Sequence, residues 1–417
     1  MKRNDFLTIF SILIVLLFCG LVYLGSSKKP GDTVIIKVGN EIIGTYHLSE
    51  NMTINLNTNC VTISDGSVYM SNANCPDKLC ERQKAISHDG EEIVCLPNNV
   101  VISVQASDSP ITFNGIYFNT YITTVIYDSN NKQILDNIAK MCQKYELLFS
   151  RTNTESELYK LNHRLINPLN VRSFDNLLQY PVSDELYEIL EIGLKYSSDS
   201  NDSFNIAIAP VSQLWDFSSG KAEIPDENLL KAATHNTNSS DIILNPNKTV
   251  SFKSDNNMID LGAIAKGYIA DKIKQYLISE NVKSATISLG GNILCLGNKN
   301  GKPFKIGIQA PFEATGNYIT EIDITDKSVV TSGMYERYFK VDNKIYHHIL
   351  DSKTGYPVNS DIYGITIISK DSVDGDCLST WLFSLGKDKA LEYASNHPEI
   401  DVIVIDKNMD IYRSNNL

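Results

Sequence analysis

The hydrophobic positions of this chain fall into three regions with different spacing. An uncharged apolar run from Phe6 to Leu24 comes first, and a helix of that length, at about 1.5 Å per residue, covers roughly 30 Å of hydrocarbon. The next region alternates short β-branched runs with the turn pairs Gly39-Asn40 and Asp65-Gly66. In the last region, strand-like and helix-like segments alternate. The pattern predicts an α+β chain with three parts: an N-terminal membrane anchor (1–29), a small all-β domain (30–105) and a larger mixed α/β domain (112–417).

The apolar run favours an uncleaved transmembrane helix over a signal peptide, because small residues are not well placed for a cleavage site. Cys19 leaves a lipoprotein as the alternative, although Phe18 stands where a lipid-attachment signal prefers a small residue. Basic residues flank both ends of the run, so charge bias orients it weakly. The short leading stub and the large trailing part predict a single-pass protein of the cell membrane with its catalytic domain outside the cytoplasm.

Within the third region the spacing predicts individual elements. The predicted strands and helices are Tyr121–Tyr127 (strand), Lys132–Leu148 (helix), Ala265–Leu277 (helix), Ser284–Gly297 (a strand pair broken at Gly290-Gly291-Asn292), Ile362–Ser369 (buried strand) and Asp376–Leu385 (apolar helix).

Composition narrows the function. Hydrophobic residues make up 42% and charged residues 21% of the chain, which is typical of a folded protein. The formal net charge of −12 argues against a nucleic-acid-binding protein, which needs a basic surface to replace phosphate counterions. A nucleotide ligand remains compatible with this charge, because a metal ion can supply local positive charge.

Asp376 and Thr380 are four residues apart on the last predicted helix, so their oxygens share one face near its start. Carboxylate and hydroxyl oxygens suit a hard cation such as Mg²⁺. The alternative is structural: Asp376 favours the positive end of a helix, and Thr380 fills a polar gap.

The segment Asp260–Tyr268 is predicted to join a short strand to a helix. Gly262 would let the backbone approach a ligand, and free N–H groups with Lys266 would attract phosphate. A turn capped by an acid and followed by an exposed lysine explains the segment equally well. The small residues Thr331-Ser332-Gly333 could line a ligand.

His347 and His348 would point to opposite faces of a strand, so both cannot serve one site. The chain has no zinc-type spacing around them. A single histidine that takes a proton from a hydroxyl is the more economical functional interpretation.

Four cysteines lie in the small β region: Cys60, Cys75, Cys80 and Cys95. If this region lies outside the cytoplasm, we expect at least one disulfide among these four cysteines. There are two alternatives. The Cys75–Cys80 segment could be redox-active, or it could bind zinc together with Cys95 and His88. The scattered cysteines of the larger region are expected to be core residues.

Several segments together resemble the FAD:protein FMN transferase family, usually called the ApbE family, over about residues 118–417. They are Phe149–Arg151, Pro210–Trp215, Asp260–Tyr268, Leu289–Asn292, Thr331–Gly333 with Tyr335 and Arg337, His347–Asp351, and Asp376–Thr380. The small β region resembles domain II of NusG-type proteins through Cys75–Cys80 and Val94–Asn98.

This resemblance implies a set of roles. Mg²⁺ would be held by the Ala263 carbonyl, Asp376 and Thr380, and His348 would activate the acceptor hydroxyl. FAD, as the substrate, would be bound by Asp260, Lys266, Thr331, Ser332, Gly333 and Ile349. The implied reaction moves FMN from FAD to a Thr or Ser hydroxyl of an extracytoplasmic acceptor protein, for example one of a membrane electron-transfer system, and releases AMP.

The sequence departs from the family pattern at Asn205, where the family often has Asp, and at Ala209 and Asp216, which replace common glycines. Two other functions stay open at this point. Water could replace the acceptor hydroxyl, which would make the protein an FAD pyrophosphatase. Alternatively, the chain could be a non-catalytic flavin-binding redox module.

Overall fold

The computed structural model describes residues 29–76, 78–106, 110–170, 176–217, 222–314 and 316–414. The chain divides into two compact units, Met1–Ser109 and Pro110–Leu417. The predicted anchor, Phe6–Leu24, lies outside the described residues and stays a prediction. Over the ranges given above, the structure has no helix with the length and apolar character needed to cross a membrane.

The first unit is built almost entirely from antiparallel strands. Its elements are β1 (Thr33–Val38), β2 (Glu41–His47), β3 (Met52–Asn55), β4 (Asn59–Ser64), β5 (Ser67–Ala73), α1 (Leu79–Arg82), β6 (Glu92–Cys95) and β7 (Val100–Gln105). They form a four-stranded sheet in the order β2-β1-β7-β6 and a three-stranded sheet in the order β3-β4-β5. Gly39 and Gly66 have φ angles of 61° and 71°, as the predicted tight turns require. The short helix α1 was not predicted.

The second unit has a larger set of elements, given in two lists. Its strands are β8 (Ile111–Tyr117), β9 (Thr120–Ile126), β10 (Tyr180–Pro181), β11 (Ile242–Asn245), β12 (Thr249–Phe252), β13 (Ser284–Leu289), β14 (Asn292–Gly297), β15 (Phe304–Gln309), β16 (Tyr318–Ile324), β17 (Ser328–Gly333), β18 (Tyr338–Val341), β19 (Lys344–His347), β20 (Ile362–Ser369), β21 (Asp401–Asp406) and β22 (Ile411–Arg413). Its helices are α2 (Gln133–Phe149), α3 (Glu157–Asn162), α4 (Asp184–Asp199), α5 (Ala209–Ser212), α6 (Glu227–Thr234), α7 (Ala265–Ser279), α8 (Ser372–Leu385) and α9 (Lys387–Asn396).

An eight-stranded sheet in the order β22-β21-β20-β17-β14-β13-β9-β8 forms the centre of this unit. Neighbouring strands in this sheet pair antiparallel. Helices combined with an antiparallel sheet define an α+β fold, so the predicted mixed class is confirmed for this unit.

Both faces of the sheet are covered, and strand alternation decides which residues face which layer. On β21, Val402 and Val404 join a core with residues of α8 and α9, whereas Ile403 and Ile405 join a core with the β15–β16 hairpin. On β14, Leu294 and Leu296 likewise face the main helical core. This sandwiching explains why β20 is buried along nearly its whole length.

Helices α7 and α8 cross closely, and Gly267 permits the contact. A Cβ atom at Gly267 would lie 2.3 Å from the Ser372 carbonyl oxygen and 2.7 Å from the Val373 Cα atom. Both of those atoms belong to backbone, which cannot rotate away. The two helix starts therefore meet at a distance that only glycine allows.

Two predicted boundaries in this region are wrong. Helix α8 begins at Ser372, so Asp376 lies in its second turn and not at its start. The segment before Asp260 is not a strand, because β12 ends at Phe252.

The crossing predicts that Gly267→Ala destabilises the Pro110–Leu417 unit by about 1–3 kcal/mol, the usual cost of overpacking. Gln275→Ala, on the exposed face of the same helix, is the matched control and is expected to change stability by less than about 0.5 kcal/mol. Urea unfolding followed by far-UV circular dichroism measures both. Equal stabilities of the two variants would contradict the close contact.

Candidate functional site

A cleft in the second unit gathers nearly all the predicted site residues. Predicted residues that line it are Asp260, Ala263, Lys266, Thr331, Ser332, His348, Ile349, Asp376 and Thr380. They come from the α7 start, β17, the segment after β19, and α8. Gly333 is the exception. It lies outside the residues that line the cleft, and a Cβ atom there would meet the Tyr335 ring at 2.5 Å.

The Asp376 carboxylate is buried at the base of this cleft, with 4% of the residue exposed. Its Oδ2 accepts the Gly267 backbone N–H at 2.6 Å, and its Oδ1 accepts Asn292 Nδ2 at 3.1 Å. Gly267 is the third residue of α7, so Asp376 satisfies one of the N–H groups that a helix start leaves free. The carboxylate is therefore held in orientation by a backbone N–H and a buried side-chain amide.

The opposite capping interaction holds α8. Asp271 of α7 accepts the backbone N–H groups of Ser372 and Val373 at 2.8 and 2.9 Å. Each helix thus supplies the carboxylate that caps the other. This reciprocal arrangement ties the position of Asp376 to the crossing of the two helices.

A chain of polar side chains supports Asp376 from below. Ser328 donates to Ser372 at 2.9 Å, Ser372 donates to Asn292 Oδ1 at 2.7 Å, and Asn292 then donates to Asp376. All four are buried, and their hydrogen bonds fix the orientation of the Asn292 amide.

The residues present fit a magnesium ion. Each Asp376 oxygen accepts one protein hydrogen bond and keeps a lone pair for a cation. Thr380 lies one turn further along α8 and also lines the cleft, as the four-residue spacing predicted. A carboxylate, a hydroxyl and a backbone carbonyl are the oxygen donors that Mg²⁺ prefers, and it completes its coordination with water and phosphate oxygens.

Asp260 is held by protein contacts on both of its oxygens. Its Oδ2 accepts the Ser212 hydroxyl at 2.7 Å and lies 3.2 Å from Arg151 Nε. Its Oδ1 accepts the Gly262 backbone N–H at 2.9 Å. Asp260 therefore shapes the loop that carries Ala263 and positions Arg151 in the cleft.

Three cations line the cleft: Arg151, Lys266 and Arg337. Lys266 Nζ lies 4.0 Å from Asp376 Oδ1 and donates to the Gly262 carbonyl at 3.3 Å. Glu336 is an exposed residue of the same cleft, and Lys266 and Arg337 act on its carboxyl as opposite charges.

The two adjacent histidines face different surroundings, as strand alternation predicted. His347 ends β19 with only 3% exposed, and its Nε2 donates to the Val358 carbonyl at 3.1 Å. His348 follows the strand and lines the cleft. Burial, with the charge of Arg337, lowers the pKa of His348 to about 3, so its ring is neutral near pH 7. Its Nδ1 has no hydrogen-bond partner among the described residues.

The remaining predicted residues are tied to the protein. Thr331 and Thr366 share a hydroxyl hydrogen bond of 2.8 Å, and Ser332 shares one of 2.8 Å with Ser379. Asn205, the departure from the family pattern, lines the cleft while it accepts the Ala207 N–H and donates to the Thr237 carbonyl. A carboxylate has no N–H group, so an Asp at this position could not donate the hydrogen bond to the Thr237 carbonyl.

Aromatic rings form one end of the cleft. Trp215 and Phe217 line it and stack with centroids 5.5 Å apart and an interplanar angle of 7°. Phe339 and Tyr346 extend the stack from the β18–β19 hairpin. Such a surface suits a planar ring system.

Sequence reasoning assigned no role to three groups that the structure brings to the site. Glu336 and Arg337 follow the small-residue segment that ends β17, and Asn292 follows the glycine pair of the β13–β14 turn. Asp271 was missed as well. Asp271 lies one turn after Gly267 on α7. Its role as a helix cap can be predicted only if α8, about 100 residues later in the chain, is known to cross α7.

Comparison with known proteins identifies the family. A sequence model of the ApbE family matches residues 118–404, more than half of the chain, and one of NusG domain II matches residues 7–108. The fold is similar to that of a protein of known structure, the ApbE protein of Thermotoga maritima. That structure superposes with a TM-score of 0.65 at 27% identity and covers 74% of this chain and 98% of its own.

Two relatives with known names agree with this family. A Klebsiella pneumoniae protein is 33% identical over 73% of this chain and 91% of its own length, and a Treponema pallidum protein is 32% identical over 65% and 76%. Both are named FAD:protein FMN transferase. The chain belongs to the ApbE family, and the resemblance inferred from its motifs is confirmed.

The buried histidine predicts how stability depends on pH. Burial lowers the pKa of His347 to about 4, whereas an unfolded histidine titrates near 6.5. Between these values the unfolded state binds more protons, so stability is fully present above about pH 6.5 and falls as pH drops towards 4. The expected loss from His347 is about 3 kcal/mol.

Urea unfolding at a series of pH values tests this. His347→Gln removes the titrating group, and the decrease in unfolding free energy between pH 6.5 and 4 should shrink by that amount. An unchanged pH dependence in the variant would show that His347 is not the group responsible.

Proposed function

We propose that this chain is an FAD:protein FMN transferase that uses Mg²⁺ to move the FMN moiety of FAD to a Thr or Ser hydroxyl of another protein, with release of AMP. The observation that carries this proposal is the cleft itself. It combines the fixed Asp376 carboxylate, the Thr380 hydroxyl, the cation Lys266 and a neutral His348. These are the groups that phosphoryl-type transfer needs: charge neutralisation, alignment and a base.

In this proposal, Asp376, Thr380 and the Ala263 carbonyl would hold Mg²⁺. When bound, the ion neutralises charge on the pyrophosphate of FAD. The cations Arg151, Lys266 and Arg337 add to the positive potential along the cleft. The aromatic rings of Trp215 and Phe217 offer a stacking surface for one of the two ring systems of FAD.

The chemical step follows from these positions. His348, neutral near pH 7, takes the proton of the acceptor hydroxyl as its oxygen attacks the phosphorus of the FMN half. The bond to the bridging pyrophosphate oxygen breaks, and AMP leaves with that oxygen. Lys266, next to Asp376, stabilises charge on the leaving group. The products are the flavinylated protein, AMP and one proton.

The same groups could direct water at FAD, so hydrolysis is the natural side reaction. A neutral histidine that lines the cleft would also be unnecessary in a passive flavin-binding module. Both considerations support catalysis, and the transferase names of the relatives favour a protein hydroxyl over water as the acceptor.

We propose further that the chain is a single-pass protein of the cell membrane with its catalytic unit outside the cytoplasm. The uncharged Phe6–Leu24 run supports this topology. The acceptor would then be an extracytoplasmic protein, and one of a membrane electron-transfer system would fit that placement. Protease accessibility of the catalytic unit in intact cells would test the orientation.

The metal assignment predicts that Asp376→Asn lowers the transfer rate by at least about 10²-fold, because the amide removes the charge that binds the cation. The amide oxygen can accept only one of the two N–H groups that the carboxylate accepts, so the unfolding midpoint should fall, and rates are compared at a temperature at which circular dichroism shows the variant folded. Asp374→Asn is the matched control on the same helix. Asp374 accepts the Tyr196 hydroxyl at 2.7 Å and is absent from the residues that line the cleft.

Transfer rates across a Mg²⁺ titration, with calorimetry of Mg²⁺-dependent FAD binding, separate the two variants. Full activity of Asp376→Asn at limiting Mg²⁺ would rule out the metal role. A loss in Asp374→Asn as large as that in Asp376→Asn would point to helix stability as the cause.

The base assignment predicts that His348→Ala lowers transfer by roughly 10²–10⁴-fold. FAD binding should survive, because the groups that would hold the pyrophosphate remain. His347→Gln changes the neighbouring residue, which faces the protein core, and should affect transfer far less. Release of AMP and flavin fluorescence of the acceptor measure both variants. A crippled His347→Gln with an active His348→Ala would reverse the assignment.

A further inference from the structure

Three cysteine sulfurs meet inside the first unit, in a cluster that flavin transfer does not use. The Sγ atoms of Cys75, Cys80 and Cys95 all lie within 4.8 Å of one another, and Cys75 Sγ is 3.6 Å from Cys80 Sγ. The three residues are only 2–3% exposed. The seven described cysteines are free thiols, so the disulfide expected from the sequence is not present among them.

Cys60 and His88, the other two candidate ligands in this unit, do not belong to the cluster. Cys60 donates to Asn55 Oδ1 at 3.0 Å. His88 lies 3.6 Å from Glu91 Oε2 and shares a hydrogen bond with Ser87. Within the described part of the chain, which excludes Asp77, the group contains only the three cysteines.

The spacing of the sulfurs matches thiolates on one metal ion. A metal–sulfur bond of about 2.3 Å places two bound sulfurs roughly 3.8–4.0 Å apart. The cluster already has sulfurs at about that separation. A disulfide joins only two sulfurs and would leave the third thiol buried beside it without a partner.

Three separate segments supply the sulfurs, which makes the cluster a cross-link of the fold. Cys75 lies in the loop after β5, Cys80 lies in α1, and Cys95 ends β6. Cys80 is the only buried residue of α1, so its sulfur is the apolar anchor of this four-residue helix. A unit of this size buries little apolar surface and gains stability from such a cross-link.

We propose that Cys75, Cys80 and Cys95 form a binding site for a thiophilic metal cation. Thiolate ligands select soft or borderline ions, of which Cu(I) and Zn(II) are the relevant types. Three sulfurs alone satisfy Cu(I), whereas Zn(II) would add a fourth ligand from solvent or from a bound molecule. Binding releases the thiol protons and locks α1 against β5 and β6.

The test uses the full chain, purified in detergent with reductant and challenged separately with Cu(I) and Zn(II). After removal of loose metal by a competing chelator, elemental analysis should find about one ion per chain. Cys60→Ser, outside the cluster, should retain the ion, and Cys95→Ser should lose most of it. Whether the protein retains Cu(I) or Zn(II) after the chelator treatment identifies the type of cation that the site binds.

Wild-type protein without bound metal in both arms would overturn the proposal, and so would a Cys95→Ser variant that binds as well as wild type. Should Cys95→Ser not fold, X-ray absorption of the loaded wild type decides. The proposal requires three sulfur neighbours at about 2.3 Å. A coordination shell without sulfur, or a Cys75–Cys80 disulfide in the metal-challenged protein, would contradict it.

Discussion

The active cleft depends on the crossing of two helices whose first turns cap each other. Asp376 of α8 accepts the N–H of Gly267 in α7, and Asp271 of α7 accepts the N–H groups of Ser372 and Val373 in α8. The absence of a side chain at Gly267 lets the backbones approach closely enough for both interactions. A carboxylate fixed in this way can face a ligand without rearrangement, which is the preorganisation that transfer chemistry requires.

The electrostatics of the cleft build on that fixed carboxylate. Arg151, Lys266 and Arg337 contribute positive charge, which favours an anionic ligand. Burial of His348 lowers its pKa, so the ring is neutral near pH 7 and keeps a nitrogen lone pair free.

Local pattern predicted β9, β13, β14 and β20 and the helices α2, α7 and α8, and the Asp376–Thr380 spacing did place both residues on the cleft. Helices α4, α6 and α9 were not predicted. The start of α8 was missed because Gly375 and β-branched Val373 are weak helix formers, and the cap that fixes the start comes from Asp271, distant in sequence. The position of Gly333 against the Tyr335 ring, outside the residues that line the cleft, is visible only in the fold. Non-local contacts of this kind leave no periodic signal.

In the proposed reaction a protein hydroxyl, and not water, receives the flavin. Intact-mass analysis of an acceptor protein with a Thr or Ser flavinylation motif, incubated with the enzyme, FAD and Mg²⁺, tests it most directly when AMP and free FMN are quantified together. For a transferase, the acceptor should gain the mass of FMN less water and AMP should form in equal amount, with little free FMN. AMP matched by free FMN, with an acceptor of unchanged mass, would show a hydrolase and contradict the account.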